Sequence, residues 1–314
     1  MIKVDFKENI LLAPLTTFRI GGPAAYFCEI SNFNELREAI IMAKKIRKPF
    51  FILGGGSNLL VSDDGFNGVI IKFVSKKMKV YKNADETFIE VDAGVLLANV
   101  LQKTLEFKAT GLEWGAGIPG TIGGAIFGNC GAYGKSISES IKKVTVLNPN
   151  NFEIKELSKE NCEFDYRSSI FKRNGYIILS AQLNFKNVDN DEPRDLVLQY
   201  LKERKEKIPS YPSAGCIFKN IPAINVSPEI LKKIPQDKIK GGKIAVGYLI
   251  DQCGLKGKRI GGAQISSMHA NFIVNLENAT AKDVYELIKL SKKSVFEKFG
   301  IKLEEEIRYL GQFN

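Results

Sequence analysis

The stretch over residues 117–134, GIPGTIGGAIFGNCGAYG, holds seven glycines, one proline and no charged side chain. A solvated loop or a core helix does not need that many glycines. Glycine opens positive φ to the backbone and removes the Cβ that holds a ligand away. Such a run lets main-chain N–H groups press against something large, flat or anionic. An earlier stretch, LGGGSNLL over residues 53–60, has the same character and follows the apolar, strand-like PFFIL. It matches neither GxGxxG nor GxxxxGK[ST], so neither the Rossmann nor the P-loop fingerprint applies. Two glycine-rich surfaces on one chain point to a long ligand with a phosphate portion, held between two lobes.

A chain of 314 residues is too long for one core, so two or three domains are expected. No apolar run approaches the ~20 residues of a membrane span. The first ten residues carry acids and no apolar core, unlike a secretory leader, so a cytoplasmic protein with no membrane partner is expected. The net charge of +10 raises nucleic acid as a partner. Its lysines are spread along the chain, and clusters such as KERKEK over residues 202–207 are interrupted by acids. That pattern reads as a solvated surface, with no nucleic-acid partner. Five cysteines at scattered spacings include no C-x-x-C, which signals neither zinc nor a redox dithiol. The single histidine, His269, excludes His-rich metal centres and the usual His-based triads. No metal is expected, so the chemistry falls to other side chains or to a cofactor.

Periodicity predicts helices over residues 34–46 (capped by Ser31 or Asn32), 95–108, 195–207, around 245–253, and over 281–299. Strands are predicted over 49–53, 68–73, 88–94, 271–275 and 301–310. Further strands over 144–147, 152–154 and 176–183 are expected in a mixed sheet. The Pro/Ser-rich PSYPS over residues 209–213 reads as a domain boundary.

Taken together and in order, TTFRIGGPA, GGGSNLLV, GIPGTIGGAIFGNCGAYG, FDYRSSIF, PSAGCIFKN, LIDQCGLKG, GGAQISSMHANFIVN and LEEEIRYLG resemble the UDP-N-acetylenolpyruvoylglucosamine reductase (MurB) family. The pieces run from residue 16 to residue 311. The short segment before the 195–207 helix leaves little room for the extra substrate loop of the longer subtype, so the chain resembles the shorter one. The resemblance implies an α+β fold: the FAD-binding fold of the vanillyl-alcohol-oxidase (PCMH) type, with two α/β FAD-binding subdomains and a C-terminal substrate-binding domain. The expected boundaries are 1–72, 73–203 and 204–300, with a C-terminal strand within 301–314 packing near the first subdomain. It also implies non-covalent FAD, NADPH as hydride donor, UDP-N-acetylglucosamine enolpyruvate as substrate, a role in peptidoglycan precursor synthesis, and a monomer. Another FAD oxidoreductase of the same fold, acting on a sugar or lactone, is the alternative. Many of those attach flavin through a histidine, and the glycine loops here contain none.

By the same resemblance, Gly54, Gly55, Gly56, Ser57 and Asn58 take the FAD pyrophosphate, with Arg19 and Leu59 beside them. Backbone N–H groups suit that task. Pro119, Gly120, Thr121, Gly123, Gly124, Ala125, Asn129, Gly131, Ala132 and Tyr133 are expected along the adenosine and flavin portions. Three residues match catalytic positions. Arg167 would grip the substrate carboxylate and steady the enolate, as a guanidinium binding bidentately can; read locally, it could instead pair with Asp165. Glu306 is selected from LEEEIR because it precedes Ile307-Arg308; its role would be to hydrogen-bond the enol. Read locally, it is an exposed strand-end charge. Cys216 stands where most members place serine as proton donor. A free thiol titrates near ~8.5 and so still donates at neutral pH, although local sequence alone would favour an inert buried thiol. Tyr166, Arg204, Lys207, Lys219, Asn220, Gln264 and His269 are expected at the substrate, with His269 equally readable as a core histidine.

Overall fold

The computed structural model describes residues 4–313. Met1–Lys3, the start of the segment read as no leader, and Asn314, the end of the expected C-terminal segment, lie outside the described residues. Two-residue strands and single-turn helices aside, the chain order is β1 (Lys7–Leu11), β2 (Pro23–Ile30), α1 (Phe33–Lys45), β3 (Phe50–Leu53), β4 (Leu59–Val61), β5 (Phe66–Phe73), β6 (Met78–Lys82), β7 (Glu86–Asp92), α2 (Leu97–Glu106), α3 (Ile122–Gly128), β8 (Ile141–Leu147), β9 (Ile154–Ser158), β10 (Ile177–Asn187), α4 (Glu192–Lys207), α5 (Val246–Gln252), β11 (Ala263–Ile265), β12 (Ile273–Asn275), α6 (Ala281–Phe299) and β13 (Arg308–Leu310). The residues form two compact units. One takes the chain up to Ile10, then Ala24 to Gly55 and Asn67 to Arg204; the other takes Leu11 to Pro23, Gly56 to Phe66, and Lys205 onward.

In the first unit a four-stranded sheet runs β1-β2-β5-β3. Its β3 and β5 pair in parallel, Phe50 opposite Val69 and Leu53 opposite Lys72. α1 buries Leu36, Ala39, Ile40 and Ala43 on one stripe, the helical period read from sequence. Asn32 caps it, its side chain accepting from the Glu35 N–H at 3.0 Å, while the Glu35 carboxylate accepts from the Ser31 N–H. That reciprocal bond holds the Glu35 carboxyl below its ordinary range.

A six-stranded sheet follows, ordered β9-β8-β10-β7-β6, with Ala109–Thr110 also on β10. Every pairing in it is antiparallel, where a mixed sheet was expected. Parallel neighbours need a crossover of a dozen or more residues, and the connection from β8 to β9 is far shorter. Trp114, Phe171 and Phe185 anchor the core of this unit together with Leu36, Ile71 and Val100. Among the five cysteines, Cys28 and Cys162 are buried. Burial pushes their thiols up to about 12 and about 11, so both behave as small apolar groups.

The second unit packs around α6. Thr280 and Asp283 form a capping box at its start, Gly300 closes it in the left-handed conformation, and Val284, Leu287, Ile288 and Val295 are buried. Asp63, just past β4, adds a second cap, accepting from the N–H groups of Ala281 (2.7 Å) and Lys282 (3.1 Å). β13 runs parallel to β4, Arg308 opposite Leu59 and Leu310 opposite Val61. The continuous strand expected over residues 301–310 is a ladder only over Arg308–Leu310. Upstream, the chain changes partners in turn: the Lys219 N–H donates to the Glu304 carbonyl, and the Glu306 N–H to that of Ile217. Ile301, Leu303 and Ile307 join Phe18, Phe218 and Leu287 in this unit's core.

Candidate active site

In the first unit the two glycine stretches meet at close range. A Cβ on Gly54 would lie 2.7 Å from Thr121 Oγ1, and one on Gly55 would lie 2.7 Å from the Gly120 Cα. Thr121 caps α3, its side chain accepting from the Gly124 N–H. The N–H groups of Ile122 and Gly123 bond to the carbonyls of Val95 (2.8 Å) and Ala93 (2.9 Å). Gly123 is glycine because a Cβ there would meet the Ala93 Cβ at 2.8 Å.

Gly124 and Gly128 have no such packing reason. The nearest atom to a Gly124 Cβ is Thr121 Oγ1 at 3.6 Å, and a Gly128 Cβ would meet nothing within 4 Å. Glycine inside a helix costs about 0.5–1 kcal/mol relative to alanine. Residues four apart share a helix face, so α3 keeps one face bare of side chains. This is the surface a ligand lying on main chain requires.

The end of α3 holds the Arg167 turn. Asp165 and Ser168 exchange both main-chain hydrogen bonds (3.1 and 3.0 Å), closing a two-residue loop with Arg167 at φ +53°. Left-handed backbone is costly for a long side chain. Three bonds hold the turn there. Asn129 Nδ2 donates to the Asp165 carbonyl (2.8 Å), Ser169 Oγ donates to that of Phe127 (2.7 Å), and the Arg167 guanidinium donates to that of Gly131 (2.9 Å). Asn129 also accepts from the Ser138 N–H at 3.3 Å. Its side chain is thus engaged within the protein on both sides. The Arg167 guanidinium also sits over the Tyr166 ring, 5.3 Å from its centroid.

Four of the ten non-glycine residues with positive φ among the described residues are Arg19, Asn129, Tyr133 and Arg167, all of them site candidates from the sequence. Tyr133 stacks on Tyr200 of α4 at 3.9 Å, and Arg204, one turn further along, lies over the Tyr133 ring at 5.9 Å. The Arg204 Nε is buried and has no hydrogen-bond partner among the described residues, while Lys207 at the helix end is exposed. Pro119, Gly120, Ala125, Gly131 and Ala132 all belong to the same glycine-rich segment, Ala125 on the buried side of α3.

In the second unit, Gly56 has φ +61°, and a Cβ would lie 2.2 Å from the Leu15 carbonyl oxygen; only glycine fits. Next to Ser57, Asn58 reaches across to the C-terminal segment. Its Nδ2 donates to the Glu306 carbonyl (3.0 Å), and its carbonyl accepts from the Arg308 N–H (3.0 Å). Leu59 begins β4. The carbonyl of Arg19 accepts from Asn275 at 3.4 Å.

The segments that carry Cys216 and Glu306 are joined through the main chain. Cys216 bridges to Phe272, and Phe218 bridges to Glu305. The Glu306 N–H donates to the carbonyl of Ile217, the residue after Cys216, at 2.7 Å. Both side chains are half-buried. Of the three glutamates, Glu304 pairs with Lys219 and Glu305 pairs with Lys292 at 2.9 Å. Asn220 Oδ1 accepts from the Val246 N–H at the start of α5 (3.1 Å). Gln264 Nε2 donates to the Gly257 carbonyl (3.0 Å). His269 Nδ1 accepts from the Asn271 N–H (3.2 Å), and its ring packs edge-on to Phe272. Burial holds its imidazole below the ordinary range, in the neutral form that an accepting Nδ1 requires. The core-histidine reading therefore has a geometric basis.

Sequence reasoning missed the residues that hold these segments in place: Asn271, Ser169 and Asp63. Asn271 lies within GGAQISSMHANFIVN, but nothing in that motif indicates whether an asparagine faces a ligand or the backbone.

Two family descriptions match the chain: "FAD binding domain" over residues 24–156 and "UDP-N-acetylenolpyruvoylglucosamine reductase, C-terminal domain" over residues 207–310. Similar curated proteins include UDP-N-acetylenolpyruvoylglucosamine reductases of Clostridium novyi, 39% identical over 99% of this chain and 94% of that one, and of Caldicellulosiruptor bescii, 39% identical over 99% and 92%. The solved structure of the MurB reductase from Thermus caldophilus is similar at 31% identity and a TM-score of 0.78, covering 99% of this chain and 100% of that one. With the glycine cradle, these define an FAD-dependent oxidoreductase with the α+β, vanillyl-alcohol-oxidase-type FAD fold that the sequence led us to expect. The chain belongs to the UDP-N-acetylenolpyruvoylglucosamine reductase (MurB) family. The bare face of α3 fits a dinucleotide held by main chain rather than by cationic side chains.

Proposed function

We infer that this chain reduces UDP-N-acetylglucosamine enolpyruvate to UDP-N-acetylmuramate with NADPH, in the supply of peptidoglycan precursors. FAD, when bound, would supply the hydride chemistry between NADPH and the enolpyruvyl methylene carbon. Arg167 holds the substrate carboxylate beside the carbon where negative charge develops. Glu306 hydrogen-bonds the resulting enol. Cys216 gives its Sγ–H proton to the α-carbon; the C–H bond forms as the S–H bond breaks, and the thiolate recovers a proton from solvent.

The observation that carries this reading is the 2.7 Å bond from the Glu306 N–H to the carbonyl beside Cys216, which joins the carboxyl and thiol segments. Arg204 and Lys207 are assigned to the diphosphate, and Tyr166, Lys219 and Gln264 to the sugar nucleotide. Asn220 and His269 support the substrate face through the backbone bonds they accept. Asn129 supports the cofactor by holding the Arg167 turn. The protein works as a cytoplasmic monomer on two soluble nucleotides; no helix among the described residues is long and apolar enough to cross a membrane. Anaerobic titration tests the reading: NADPH should bleach the flavin band, and the enolpyruvyl sugar nucleotide should restore it with formation of the reduced sugar. Bleaching without recovery excludes this substrate, and a protein that binds no added FAD excludes the cofactor.

A further inference from the structure

We propose that Asn271 is the residue that positions the thiol of Cys216, acting through the main chain of Phe218. The proposal rests on the reading of Cys216 as proton donor. The segment 216–219 belongs to no continuous ladder, with single bridges at Cys216 to Phe272 and at Phe218 to Glu305. Between those bridges one side chain replaces the missing strand. Asn271 Oδ1 accepts from the Phe218 N–H at 3.0 Å, and its Nδ2 donates to the Phe218 carbonyl at 2.8 Å. Its own carbonyl accepts from the Ile217 N–H at 2.8 Å.

Asn271 is 2% exposed, so water cannot take over either bond, and a buried main-chain group left without a partner is costly. The carboxamide reads both the donor and the acceptor of one peptide, as a neighbouring strand would. Behind it, the Asn271 N–H donates to His269 Nδ1 at 3.2 Å, and His269 is braced by Gly247 of α5, where a Cβ would meet the ring at 3.1 Å. On the far side, the Ile217 carbonyl accepts from the Glu306 N–H. The Asn271 clamp therefore fixes the height of Cys216 relative to both Phe272 and Glu306. Catalytic groups displaced by about 1 Å lose about 10²-fold in rate.

The test uses the FAD-loaded protein with Asn271→Asp, which keeps the acceptor and loses the donor. Flavin bleaching by NADPH should stay within about twofold, while recovery with the enolpyruvyl sugar nucleotide should slow by about 10- to 10²-fold. On a Cys216→Ala background the same change should add less than about twofold, because both changes act through one thiol. Additive losses, or equal slowing of both half-reactions, would assign Asn271 a purely structural role and overturn the proposal.

Two readouts stand apart from turnover. In the unmutated protein the Phe218 amide should be protected from hydrogen exchange; exchange at the rate of a free amide overturns the clamp even if the variants fail to fold. In the FAD-free variant, the rate of iodoacetamide labelling at Cys216, followed by peptide mass, should change several-fold, and an unchanged rate counts against displacement of the thiol. If the unmutated holoenzyme is not reoxidised by this substrate, the proposed reaction fails, and these two readouts still decide the clamp.

Discussion

In the first unit, Gly55 meets the main chain of Gly120, and Gly54 meets the Thr121 side chain, each at a distance that leaves no room for a Cβ. In the second unit, residues 216–219 are held by an added side chain, the Asn271 carboxamide inserted between two lapsed pairings. The first region gains its geometry by leaving side chains out, and the second by putting one in. A bare backbone presents N–H groups to a large ligand at close range and tolerates no Cβ. A clamped backbone fixes single side chains, Cys216 and Glu306, and tolerates change wherever the clamp itself is kept.

The largest expected effect is on the clamped side. Cys216→Ala should leave bleaching of the flavin by NADPH nearly intact and slow its recovery by ~10²–10⁴-fold, the usual loss for a missing general acid. Cys216→Ser should regain much of the step. Stopped-flow measurement of the two half-reactions decides it, and equal damage to both would make the thiol structural.

On the bare side, Gly55→Ala forces a methyl to within 2.7 Å of the Gly120 Cα. Overpacking of this kind costs about 1–3 kcal/mol. Thermal melts should show the loss without FAD, and FAD titration should show weaker binding. Gly124→Ala sharpens the contrast. Its Cβ meets nothing closer than 3.6 Å, so the FAD-free protein should gain about 0.5–1 kcal/mol from helix propensity, while FAD affinity falls. A stabilised variant with undiminished affinity would mean that the cofactor does not lie on this face of α3.

The smallest effect concerns pH. Burial depresses the His269 pKa below 6.5, so the unfolded chain takes up a proton there that the folded chain refuses. Stability from this group is present above pH 6.5 and is lost as pH falls through that value toward the folded pKa. His269→Gln keeps an acceptor and should flatten that part of the stability–pH curve in denaturant titrations. An unchanged slope would mean that folding does not shift the pKa of this imidazole.

The helices that were legible in the sequence carry both a period and a cap. α1 has Leu36, Ala39, Ile40 and Ala43 behind Asn32, and α6 has its stripe between Thr280 and Gly300. The glycine stretches were legible because an uncharged run so rich in glycine serves little besides close approach to main chain. Strand pairing was not. Residues 144–147 and 176–183 read as strands, but their antiparallel partnership depends on connections that carry no local signature. The run over residues 301–307 also misled, since alternating apolar residues look the same whether one partner strand pairs throughout or several partners take turns.

The amino-acid order by itself settled which family this is and where its backbone must be bare, because glycine content and motif order do not depend on how distant segments meet. It also put forward Arg167, Cys216 and Glu306. Only the tertiary structure decided that the Asn58 and Asn271 side chains hold main chain, that Asn129 fastens the Arg167 turn, and that His269 accepts a backbone hydrogen bond. An asparagine or histidine bonds a ligand or a peptide with the same atoms, and which one it meets is fixed by segments that lie far away in the sequence.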